Sequence, residues 1–162
     1  MPRFASDSAV KPSVFDRLID DDPRNSKEAP LTRNQSVNQL KESVRRDLEW
    51  LLNTRLVAVP PKEWLREVNR SVYVYGLPDF TAYSLANPDD QNRLMRHLQT
   101  AIKTFDPRLD KIRVVPVDVS GVNTRTLRFR IEALLFIDPA PEHISFDTIL
   151  QLTSGEYEVV NA

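Results

Sequence analysis

Asp106 and Arg108 stand on either side of Pro107, where an apolar helical pattern gives way to a strand pattern. A proline removes an amide donor and clashes with the preceding turn, so Pro107 ends the helix. Opposite charges at such a rigid break can do one of two things. They can pair with each other as a helix terminator, and an exposed pair of this kind contributes only about 0–1 kcal/mol. Alternatively they recognise a partner, with the Arg108 guanidinium forming a forked contact to a carboxylate or carbonyl. Catalytic arrangements are weaker. Glycoside hydrolysis needs two acids flanking one cleft, one of them with a raised pKa. Glu49, Asp106 and Glu132 are the candidates, and none lies in an apolar run that would raise it. His97 and His143 are too few and too scattered for a metal site, and His97 reads as a partly buried or exposed helix residue. No serine sits in a nucleophile elbow, and no glycine-rich loop is present to cradle phosphate. The chain reads as a non-enzyme without metal or cofactor.

The elements that position these residues follow from periodicity. Asn87-Pro88-Asp89-Asp90 opens a helix: asparagine caps it, proline takes the first position, and the acids meet the positive end of the dipole. Leu94, Leu98, Ala101, Ile102 and Phe105 form its apolar stripe. An earlier helix runs from Ser36 to Arg55, with Ser36 and Gln39 as a capping box and Val37, Leu40, Val44, Leu48, Leu51 and Leu52 as its stripe. Arg45 and Arg46 read as a solvated face of that helix. Trp50 lies off the stripe, a position that suits a surface anchor or a core edge. Near the start, Val14-Phe15-Asp16-Arg17-Leu18-Ile19 makes a helical turn or two with an apolar side, ended by Asp20-Asp21-Asp22-Pro23. So short a helix must dock, either on its own domain or on a partner. Glu63 to Val68 suggests a short helix, and Ser71 to Tyr75 a short strand or extended loop, before the turn Gly76-Leu77-Pro78-Asp79.

The last third is β. Ile112 to Val119 is a strand whose Pro116 places it at a sheet edge. After a turn at Ser120-Gly121-Val122-Asn123, Leu127, Phe129, Ile131, Ala133, Leu135 and Ile137 alternate with Arg128, Arg130 and Glu132 as a half-buried strand. Leu134 and Phe136 suggest that its end is covered on both faces. Ile144 to Leu152 and Tyr157 to Val160 complete the set. The expected fold is α+β, with two main helices packed on one face of a mostly antiparallel sheet.

Composition sets the limits. The 162 residues suffice for one domain with a core. Twenty-two basic and 23 acidic side chains leave a net charge of −1, which favours neither nucleic acid nor an anionic membrane. No cysteine is present, which excludes disulfides and thiolate chemistry. The first residues lack the apolar core of a signal peptide, and no apolar run approaches the roughly 20 residues of a membrane span. The expectation is a cytoplasmic protein.

Several ordered segments resemble one family. Ser13 to Leu18 with Asp20-Asp21-Asp22-Pro23, Ser43 to Arg55, Ser71, Tyr75 to Phe80, Phe105 to Leu109, and Ile144 to Thr148 are similar to the TssE family, baseplate wedge proteins of bacterial type VI secretion systems. That family is in turn similar to the lysozyme-like wedge protein of contractile phage baseplates. The family signature has glutamate where this chain has Asp106, so the charge survives on a side chain one methylene shorter. The resemblance implies a structural component without catalytic activity. Its implied partners are TssF, TssG, TssK and the sheath subunits, in a sixfold hetero-oligomeric baseplate with no nucleic acid and no direct membrane insertion. It also implies that a sheath arm adds to an open sheet edge. Pro116 disfavours pairing at its own edge, so the docking edge is expected elsewhere, with the C-terminal strand as one candidate. Candidate partner-binding residues are Asp106, Pro107 and Arg108, with Phe15, Arg17, Leu18 and Trp50. Residues 1–33 are expected to form an arm and 34–162 the wedge domain. The alternatives are an adaptor of a contractile phage tail or injection particle, and a peptidoglycan hydrolase.

Overall fold

The computed structural model describes residues 9–19, 23–24, 31–57, 59–80, 83–84, 87–117, 126–151 and 154–161. The acidic run at 20–22 and the turn at 120–123 lie outside the described residues. The chain divides into two compact units, 1–44 and 45–162, and the boundary falls inside a helix.

In the first unit, α1 (Val14–Leu18) is one turn long and Ser13 caps it, its Oγ accepting the Asp16 N–H at 3.1 Å. Nothing that short is stable alone. It is held against α2 (Arg33–Asn53) by polar contacts: the Ser43 hydroxyl donates to Asp16 Oδ2 at 2.9 Å, and the Val10 N–H donates to Ser36 Oγ at 2.8 Å. The capping box of α2 lies one turn earlier than the sequence suggested. The Thr32 N–H donates to Gln35 Oε1 at 2.9 Å, Gln35 N–H returns to Thr32 Oγ1 at 3.4 Å, and the Thr32 carbonyl takes the first helical bond from Ser36. Ser36 does not cap. It is buried inside the first turn, donating to the Arg33 carbonyl at 2.7 Å while it holds Val10.

In the second unit, Leu48, Leu51 and Leu52 of α2 are buried. Asn87 caps α3 (Pro88–Phe105), accepting the Asp89 N–H at 3.0 Å. The buried stripe of α3 is Leu94, Met95, Leu98 and Ile102. Four antiparallel strands follow in the order β1-β2-β3-β4: β1 (Leu109–Pro116), β2 (Thr126–Leu135), β3 (Glu142–Gln151) and β4 (Glu156–Asn161). Leu127, Phe129, Ile131, Ala133 and Leu135 of β2 are buried while Arg128 and Glu132 are exposed, so the helices cover one face and the other meets solvent. Helix α3 packs on β1, and α2 lies beside β4 through Arg45 and Asn53. The expected α+β arrangement is therefore present, with Pro116 on an edge strand.

Three local expectations differ from the structure. Residues Glu63 to Val68 form turns, with a 3-10 turn at Val68–Arg70. Ser71 to Tyr75 is not a strand: Ser71 Oγ accepts the Tyr73 N–H and starts a 3-10 turn at Val72–Val74, a local bond that replaces a ladder. Phe136 lies past the end of β2 and is 60% exposed rather than covered.

The 76–79 turn returns the chain to the end of α2, where the Leu77 N–H donates to the Thr54 carbonyl and Leu56 N–H to the Leu77 carbonyl, both at 2.8 Å. Gly76 has φ +113°, and a Cβ there would collide with the Thr54 carbonyl group. Gly76→Ala is expected to cost more than about 1 kcal/mol in denaturant unfolding, because neither the space nor the dihedral suits alanine. Tyr157 is buried with a hydroxyl that has no hydrogen-bond partner among the described residues. Burial pushes its pKa well above the usual tyrosine value. The unfolded chain then loses this proton first, so its stabilising contribution is full below about pH 10 and falls as pH rises further. Tyr157→Phe should fold at neutral pH with equal or higher melting temperature and lose less of it at alkaline pH than the parent chain.

Candidate functional site

Helix α3 stops at Phe105, and Asp106 caps it, its N–H bonded to the Ile102 carbonyl. Asp106 Oδ1 then accepts the backbone N–H of Arg108 at 3.1 Å, a tight turn around Pro107. The Arg108 side chain folds back on the same carboxylate, with Nε to Oδ1 at 2.9 Å and Nη2 to Oδ2 at 2.8 Å. Its Nη2 also reaches Asp47 Oδ2 on α2 at 2.7 Å. The fork that the sequence offered to a partner thus closes on two acids of the same unit. Nor is the pair exposed: Asp106 is 5% accessible. Burial opposes the Arg108 charge, but hydrogen bonds and charge from Asp106 and then Asp47 outweigh it and raise the guanidinium pKa.

A cavity of about 190 Å³ lies beside this cluster, lined by Asp47, Leu48, Leu51, Tyr75, Phe105, Asp106 and Arg108. Tyr75 packs edge-on against Phe105, ring centroids 5.1 Å apart. Burial, and then the Asp47 and Asp106 charges, raise its pKa. Positive and negative groups here satisfy one another, and the arrangement rigidly joins the end of α3, the start of β1 and the middle of α2.

The other candidates belong neither to this fork nor to the cavity lining. Phe15, Arg17 and Leu18 are on α1 in the first unit, all exposed, with Phe15 at 50% and Leu18 at 78%. Val14 and Ile19 are exposed as well. The polar side of this short helix faces α2 through Asp16, and its apolar residues face solvent, the reverse of a surface helix. Trp50 is half exposed, with the Arg46 guanidinium 5.0 Å from its ring centroid. Arg45 is not part of a solvated face: it is half-buried, bonded to Glu49 at 2.9 Å and to the Val159 carbonyl at 3.0 Å. Of the acids weighed for hydrolysis, Glu49 pairs with Arg45, Asp106 with Arg108, and Glu132 is exposed on the solvent face of the sheet.

Sequence reasoning missed Asp47 and Asn53. Asp47 is separated from Arg108 by 61 positions, and its one local signal is an acid beside the apolar stripe of α2. The Asn53 side chain pairs with the backbone of β4, accepting the Tyr157 N–H and donating to its carbonyl, each at 2.9 Å. The C-terminal strand expected as an open edge is therefore covered at Tyr157 and, by Arg45, at Val159.

The model of the family described as baseplate wedge protein gp25 matches residues 38–140, more than half of the chain. The chain belongs to that family, and is a structural component of a baseplate. Among solved structures, it is similar to a chain from "The baseplate complex from the type VI secretion system", with 18% identity, a TM-score of 0.48, and coverage of 77% of this chain and 97% of that one. No curated protein matches. Among the described residues no helix is long and apolar enough to cross a membrane.

Truncating Arg108 strands the buried Asp106 carboxylate with only a backbone donor. Arg108→Ala should therefore lower unfolding free energy by about 3 kcal/mol, far more than an exposed ion pair would. Arg108→Lys should lose less, since it keeps the charge but not the fork. Chemical denaturation of both variants tests this, and an unchanged midpoint for Arg108→Ala would show the cluster to be dispensable.

Proposed function

We propose that the chain is a non-enzymatic wedge component of a type VI secretion baseplate, acting in the cytoplasm. In this reading it docks on TssF and TssG, stands beside TssK and helps to start the contractile sheath. Residues 1–33 serve as a docking arm and 34–162 as the wedge domain. Membership of the baseplate wedge family supports the structural role. The arm resemblance at Ser13 to Leu18, outside the matched span, supports secretion over a phage tail.

The observation that carries the docking mode is the inverted polarity of α1. Val14, Phe15 and Leu18 stay exposed while the helix is fixed by Ser13, Asp16 and Ser43. A turn pinned by its polar side presents a small apolar surface without having to order it on binding, which lowers the cost of association. Burying Leu18 on a partner contributes about 1.5–3 kcal/mol, and the exposed half of Phe15 about half as much. Repetition around a ring multiplies a modest single contact by avidity. Asp106, Pro107 and Arg108 then act by holding the wedge domain rigid while the exposed edge of Pro107, with Arg17 and Trp50, meets the partners.

Co-purification of TssF and TssG with the tagged chain tests this reading, comparing the parent with Phe15→Asp/Leu18→Asp. The two sites are exposed, so melting temperature should barely change. The parent should recover both partners and the variant at least about tenfold less. Recovery of neither by the parent would sink the secretion reading and favour a phage-tail adaptor. Equal recovery by a folded variant would remove the arm from the interface.

A further inference from the structure

We propose that Asn53 and Arg45 guard the β4 edge, keeping the chain from pairing through that strand with a second copy of itself. The two ends of the sheet are protected by different means. On β1 the protection is written into the strand: Pro116 has no N–H, Lys111 takes a left-handed φ of 49° at a register irregularity, and Gln99 of α3 donates to the Ile112 carbonyl at 2.6 Å. Strand β4 has no proline and no bulge. Its protection comes from α2.

Tyr157 sends both its N–H and its carbonyl to Asn53, so both point away from β3. Backbone direction alternates along an antiparallel strand, so Val159 faces outward too, and its carbonyl is the one that Arg45 takes. A carboxamide carries the same donor and acceptor as a peptide group. Asn53 therefore occupies the position that a residue of a fifth strand would take. Its remaining amide hydrogen is held by the Glu49 carbonyl, and Arg45 is held by Glu49, so both side chains are fixed in place.

A second copy fits the uncovered edge. Two β4 strands paired antiparallel about Val159 set Val159 against Val159 and Glu158 against Val160, with no like charges opposed. The outward N–H and carbonyl groups of Val159 in the two copies would then exchange bonds at the symmetry axis.

The test is the solution mass of the full chain by light scattering across a concentration series. The parent should remain a monomer, and Arg45→Ala/Asn53→Ala should shift to twice that mass. Adding Val160→Glu, at an exposed position, sets a carboxylate against Glu158 of the other copy and should restore the monomer. General aggregation of a weakened fold would not respond in that way. Asn53→Ser, a milder change, is measured alongside and should dimerise at higher concentration should the double variant fail to fold. A folded, monomeric guard variant over the same range, a dimer indifferent to Val160→Glu, or a parent already paired through β4 would each overturn the proposal.

Discussion

The second unit depends on one arginine reaching two acids. Asp106 ends α3 and is nearly buried, a costly place for a carboxylate without a charged partner. Arg108 meets it with both arms of the fork and then extends to Asp47 on α2. Pro107 makes the turn short enough for this return. The consequence is geometric as much as energetic, because a guanidinium fixes direction where an ammonium would fix only charge. The start of β1, and with it the register of β2 on β1, inherits that fixed point.

That geometry changes what the signature means. Charged residues flanking a proline at a helix end suggest a recognition tip when only the sequence is in view. Here the same residues spend their hydrogen bonds within the unit, and the cavity beside them is bordered by Tyr75 and Phe105. The α3–β1 junction is held by a charge-assisted fork rather than by a flexible loop. The short aspartate side chain is long enough to make both arms of the fork, at 2.9 and 2.8 Å.

Local signals were legible and distant ones were not. Asn87-Pro88 marked the start of α3 because cap and first-turn chemistry is written in adjacent residues. The alternation from Leu127 to Leu135 revealed β2 and its buried face, and Pro116 placed β1 at an edge. Two Thr/Ser-x-x-Gln frames compete at the start of α2, and the sequence could not show that Ser36 is already committed to Val10. Ser71 to Tyr75 carries strand-type residues, yet a serine hydroxyl at its start accepts the Tyr73 N–H and gives a 3-10 turn. Asp47 and Asn53 were invisible for a common reason. Each acts on a group far away in the chain, and no periodicity encodes a partner 61 or 104 positions distant.

The two units handle exposed surface in opposite ways. In the second unit the outward groups of Tyr157 and the Val159 carbonyl meet side chains of α2, and the apolar face of the sheet is covered by helices. On α1 of the first unit, apolar side chains are left exposed while serines and an aspartate make the polar contacts to α2. Hydrophobic burial favours the reverse for an isolated protein, because the apolar side of α1 would contribute more when packed than its polar side does. Such a pattern requires that polar anchoring be sufficient to fix the turn. An exposed apolar surface of this kind is compatible with membership of the baseplate wedge family.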